Sequence, residues 1–153
     1  SFELEAAAIT LGEIQERARQ FDPLTLRTDS EIRAISALDW HSLGRIGLVL
    51  HVLRKNKVLP IFVLARAKRG KRWHVEIDGK RMERYSHIEQ AVEAVDYEVS
   101  RMGKNTWRSA DPGAAWRRDP ATPGLLRELG LDRPMRTIDA WRHHAHRVAY
   151  GRA

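Results

Sequence analysis

Cysteine is missing from all 153 residues, and that absence removes disulfides, thiolate metal centres and thiol nucleophiles from consideration. Long apolar runs are missing too: none approaches the roughly 18 residues that a bilayer span requires. Residues 1–20 carry neither a basic-then-apolar signal pattern nor an Arg-rich transit pattern, so the expectation is a cytoplasmic protein with no membrane partner. No GxxxxGK[ST] phosphate cradle occurs, and the pairs Gly79-Lys80 and Gly103-Lys104 lack its glycine spacing. GxSxG, HExxH and calcium-loop patterns are likewise missing. These absences lead to a reading as a non-enzyme, with no catalytic residue, no cofactor and no metal.

What the chain has is positive charge. The net charge is +7, and it is unevenly spread. Residues 1–39 hold four Arg against eight Asp or Glu, whereas residues 40–153 hold 23 Lys or Arg against 12 acids. Within the later part, residues 61–86 are +5 and residues 101–118 are +4. Such a field suits a polyanion, with an acidic protein surface as the lesser candidate and a solvated face as the alternative.

Periodicity organises the rest. In residues 2–21, Leu4, Ala7, Ala8, Leu11, Ile14 and Ala18 recur at helical spacing, and Asp22-Pro23 ends the helix. Thr28-Asp29-Ser30 opens a short turn of helix before a strand near Leu38 and Trp40. Residues 45–54 and 58–67 form a hairpin around Lys55-Asn56-Lys57. Residues 71–77 make a third strand, and Asp78-Gly79 is the tight turn leading to a fourth at 80–85. Ser86 and Glu89 match a capping box for a helix over 86–102, whose Ile88, Ala91, Val92, Val95 and Val99 form one apolar stripe. Residues 104–120 read as a turn-rich connector. Two helices follow, 122–129 capped by Thr122 and 137–150 capped by Thr137.

The predicted fold is α+β: an antiparallel meander of four to five strands packed on one helix, with an N-terminal helix and a C-terminal helical pair. Its parts are residues 1–35, 36–103 and 104–153, forming one unit. With Trp73, Val75, Ile77 and Lys71 facing the helix, Arg72, His74 and Glu76 point to an open face. Lys68, Arg69, Lys71, Arg72, Lys80, Arg81, Arg84, Lys104, Trp107, Arg108, Arg117 and Arg118 are then the candidate nucleic-acid-binding residues. Trp107 and Trp116 either anchor the connector or stack on bases. His41, His51 and His74 read as structural. His143, His144 and His146 near Asp139 offer a weaker alternative, a metal site. Glu76, Asp78 and Glu83 balance neighbouring arginines more readily than they make a catalytic pair.

The strand ending in Ala37-Leu38-Asp39-Trp40, the WHVEIDGKRM hairpin, the SHIEQAVEAVDYEV helix and AAWRRDPATPGLLRELGL follow one another in an informative order. This order resembles the C-terminal accessory region after the motor in some bacterial and phage-type DEAD/DEAH-box superfamily 2 helicases, over about residues 36–150. The following helix departs from that pattern, keeping Thr137 and Ala140 alone, and the motor itself is not in this chain. The resemblance implies a non-catalytic nucleic-acid-binding domain, DNA before RNA, of a helicase-like or mobile-element machine, with a motor in the same or a partner chain. A protein-interaction adaptor with a basic surface for an acidic partner is the alternative.

Overall fold

The computed structural model describes residues 29–65 and 72–151. Chain order is α1 (Asp29–Ile35), β1 (His41–Ser42), a 3-10 turn (Gly44–Ile46), β2 (Gly47–Arg54), β3 (Lys57–Ala65), β4 (Trp73–Ile77) and β5 (Lys80–Tyr85). Helices α2 (Ile88–Arg101), α3 (Lys104–Ser109), α4 (Ala115–Arg118), α5 (Pro123–Glu128) and α6 (Thr137–Tyr150) follow. The five strands form one antiparallel sheet in sequence order, so the fold is α+β as expected. The helix read over residues 2–21 lies outside the described residues. Among the described residues no helix is long and apolar enough to cross a membrane.

Two turns set the meander's register. Lys55 and Asn56 have φ of 52° and 63°, and Asp78 and Gly79 have 54° and 76°. Consecutive positive dihedrals are what a two-residue hairpin loop needs to match the twist of its strands. Gly47 has a separate reason to be glycine: a β-carbon there would strike the Val63 carbonyl across the β2–β3 ladder.

Alternation sends Leu48, Leu50, Val52, Ile61, Val63, Trp73 and Val75 to one core, where the Ile88, Ala91, Val92, Val95 and Val99 stripe of α2 covers them. The opposite face is covered as well. Val49, Phe62 and Leu64 form a second core with Leu43 and with Ala145 and Ala149 of α6. Alanines at those two positions let the helix lie close to the sheet. The expectation of a sheet with one open face therefore fails: His74 and Glu76 are buried, and of that trio only Arg72 is exposed. The apolar residues of β2 and β3 at alternate positions on both faces were the signal for two covering layers.

Capping differs in detail from the sequence reading. Helix α2 is capped at His87, one residue after Ser86, and Gln90 Oε1 accepts the His87 backbone N–H at 3.2 Å. The α6 cap is Arg136; Thr137 is already helical, and its hydroxyl donates to the Asp119 carbonyl at 2.9 Å. The region 104–120 is two short helices, not a loose connector. Thr122 does cap α5, accepting the Leu125 N–H at 3.1 Å with Pro123 at the first helical position. Thr122→Ala should cost about 1 kcal/mol in urea denaturation while Thr122→Ser stays near wild type, since only the hydroxyl acceptor matters.

Candidate active site

Under α6, on the second face of the sheet, a cavity of about 120 Å³ is bounded by His51, Pro60, Phe62, Glu76, Gly79, Trp141, His144, Ala145 and Val148. Its position follows from local pattern. In Gly47–Arg54 the side chains of Val49 and His51 fall on the face opposite Leu48, Leu50 and Val52. His51 pairs in register with Pro60 of β3. Glu76 reaches the same face from β4, with His74 Nε2 3.3 Å from its Oε2. Trp141 and His144 sit one turn apart on α6, their rings in an edge contact at 6.1 Å.

Behind His51 lies a buried charge cluster. Arg117 is 1% exposed. Its Nε donates to Asp39 Oδ2 at 2.9 Å, and its terminal nitrogens donate to the carbonyls of His51 (2.6 Å), Ser109 (2.9 Å) and Asp39 (3.3 Å). Arg142 of α6 joins the same carboxylate at 2.9 Å. Two guanidiniums against one carboxylate leave the trio with one positive charge in excess. Arg142 Nε and His51 Nδ1 are buried and have no hydrogen-bond partner among the described residues. Unpaired buried polar atoms are uncommon in folded proteins and mark positions where a further group can be accommodated.

Burial holds the His51 imidazole well below its ordinary value, helped by the charges of Arg117 and Arg142 and by His41 and His144. The ring is therefore neutral near pH 7. Burial likewise pulls Arg117 below its usual value, and Asp39 opposes that pull. The His51 shift makes stability depend on pH. An unfolded chain takes up a proton at His51 near pH 6.5, while the folded chain does so only at much lower pH. Stability is full above that value and falls below it, at up to about 1.4 kcal/mol per pH unit for one group. Urea midpoints should drop between pH 7.5 and pH 5.5, and His51→Gln should flatten that decline.

The structure distributes the basic candidates differently from the sequence reading. Lys68, Arg69 and Lys71 lie outside the described residues. Arg72, Lys80, Arg81, Arg84, Lys104, Arg108 and Arg118 are exposed, and Arg81 and Arg84 stand opposite Glu76 and His74 in the β4–β5 ladder. Trp107 is half-buried against the main core, and Trp116 donates its indole N–H to the Ser109 carbonyl at 2.8 Å. Both anchor the α3–α4 segment. Arg117, placed among the surface cations, is instead fully enclosed. Asp139 is paired with Arg136 at 2.8 and 3.1 Å, and among the described residues no three His, Asp or Glu side chains gather as a metal site. His51, read as structural, stands on the cavity wall with its Nδ1 buried. A histidine inside the otherwise apolar GLVLHVLR strand was its one signal.

The family model for Stf0 sulphotransferase matches residues 3–117, which is 115 of the 153 residues. The chain belongs to the Stf0 sulphotransferase family. No match was found among curated proteins or among solved structures. Membership in this sulphotransferase family overturns the resemblance to a helicase accessory region, and with it the reading as a non-catalytic DNA-binding or adaptor module and as a non-enzyme. The basic residues that suggested nucleic-acid binding include Arg117, whose charge serves the interior. The stretch matched to the sulphotransferases contains Asp39, His51, Glu76 and Arg117, while Trp141, Arg142 and His144 come from the helix beyond it.

Proposed function

We propose that this protein transfers a sulfuryl group from an anionic sulfate donor to the hydroxyl of an acceptor, with His51 as the proton acceptor. The observation that carries the proposal is the sulphotransferase family match over residues 3–117. In the reaction the donor's sulfur–oxygen bond breaks and its leaving group departs with the electron pair. A new sulfur–oxygen bond forms to the acceptor, and the acceptor's proton passes to a base. Proton removal at that moment and a positive field around the transferring anion are the two contributions a protein supplies.

The cavity suits both. A neutral imidazole on its wall has a lone pair for the proton, and the excess positive charge of Asp39, Arg117 and Arg142 behind His51 favours an anionic group nearby, against the opposing Glu76 carboxylate on the cavity wall. That positive field also weakens His51 as a base. A bound sulfuryl anion offsets the arginines and raises the basicity of His51 when a proton has to be taken. At about 120 Å³ the cavity is smaller than the roughly 300–1,000 Å³ of whole small-molecule sites. It holds the reacting group, and the bulk of donor and acceptor lies outside it.

The test uses the full chain with ³⁵S-labelled aryl sulfate and nucleotide-linked sulfate donors, offered phenols, sugars and primary alcohols as acceptors. Label should move to one acceptor class. Folded protein that leaves the label on every donor, with each acceptor, sinks the proposal.

A further inference from the structure

His41 stands on the edge strand β1 and His146 in the middle of α6, 105 positions later. Packing of that helix on the sheet brings their Nε2 atoms to 3.1 Å. The rings meet edge to face, with centroids 5.3 Å apart and planes at 72°. His146 also stacks on Tyr150, at 6.1 Å and 5° between planes. The Tyr150 hydroxyl donates to the Leu43 carbonyl at 2.7 Å, so the support of His146 is itself tied to the residue after β1. Both histidines are half-buried, which leaves their meeting point within reach of solvent.

We infer that His41 and His146 form a two-histidine binding site for a late first-row divalent cation, of the zinc and nickel class. Imidazole nitrogens bind such ions at about 2.0–2.1 Å, so a pair separated by 3.1 Å would subtend about 98° at the metal. That lies between the roughly 90° of tetragonal and the roughly 109° of tetrahedral coordination, close enough to either for a small ring movement to complete it. Without metal, one ring donates an Nε2–H to the other. With metal, the donor ring moves that proton to Nδ1, both Nε2 lone pairs face the ion, and no net proton is lost.

Among the described residues no third histidine or carboxylate gathers at one point with this pair. His41 and His146 do not line the His51 cavity, and the proposal does not depend on sulfuryl transfer.

The experiment strips the full chain with a chelator and titrates it with zinc or nickel chloride in a non-coordinating buffer. Two readouts are thermal melting and the side-chain ¹⁵N resonances of the histidines. The melting temperature should rise saturably, by about 5–10 °C at a metal concentration a hundredfold above Kd. In zinc, the Nε2 signals of His41 and His146 should move together. The rise should vanish in the His41→Gln/His146→Gln double variant and persist in His143→Gln. No rise and unmoved signals at millimolar metal would overturn the site, as would a full rise in the double variant. Should the double variant not fold, the wild-type spectrum decides: zinc moving His143 and His144 in place of His41 and His146 also overturns it.

Discussion

Replacing Arg117 by alanine should destabilise the protein by about 3–5 kcal/mol, while replacing its neighbour Arg118 should change stability by no more than about 0.5 kcal/mol. The two residues are adjacent in the same short helix, yet Arg117 is enclosed and Arg118 is exposed. Arg117 donates to the Asp39 carboxylate and to the carbonyls of Asp39, His51 and Ser109. Deleting it leaves buried carbonyls without donors and opens a void the size of its side chain. Arg142 would still face Asp39, at 2.9 Å, so the carboxylate keeps one partner and the loss stays within that range. Lysine at 117 should recover only part of it, because an ammonium cannot reproduce the planar fork that reaches several acceptors at once. Urea melts of the three variants make the measurement. Equal, small effects at 117 and 118 would show that the enclosed network contributes nothing to stability.

The second large effect concerns rate. His51→Gln should lower kcat for sulfuryl transfer by about 10²–10⁴-fold, the usual contribution of a positioned general base. Glutamine is neutral and similar in reach, so melting should change far less than activity. The acidic limb of the kcat/KM profile should disappear with the imidazole, because no group in its place titrates in that range. Arg142→Gln offers a contrasting case, since it removes field and leaves the base. With the positive charge of Arg142 gone, His51 should titrate at higher pH, and the acidic limb should move with it. Should His51→Gln retain the wild-type rate and profile, His51 is not the base.

Much of the sheet was legible because its determinants are local. Asp78-Gly79 specifies a tight turn through its own dihedrals, and the alternation of Trp73, Val75 and Ile77 places three side chains on one face whatever covers it. The stripe from Ile88 to Val99 likewise identifies the inner side of α2 from spacing alone. The covering of the second face was less visible. Helix α6 shows its polar residues as readily as its alanines, and Ala145 and Ala149 are inward because the sheet meets them there. The buried charges were not legible at all: Asp39 lies 78 positions from Arg117, and no periodicity links them.

Sequence by itself determined the turns, the strand faces, the Thr122 cap and the apolar side of α2, all of which depend on residues within a turn or a strand of one another. Only the tertiary structure decided which of two adjacent arginines would be enclosed, which histidine would stand neutral at a cavity, and that His41 would meet His146. The reason is physical. A side chain's protonation and partners depend on the dielectric and the charges that packing places around it, and packing joins residues that the chain keeps far apart.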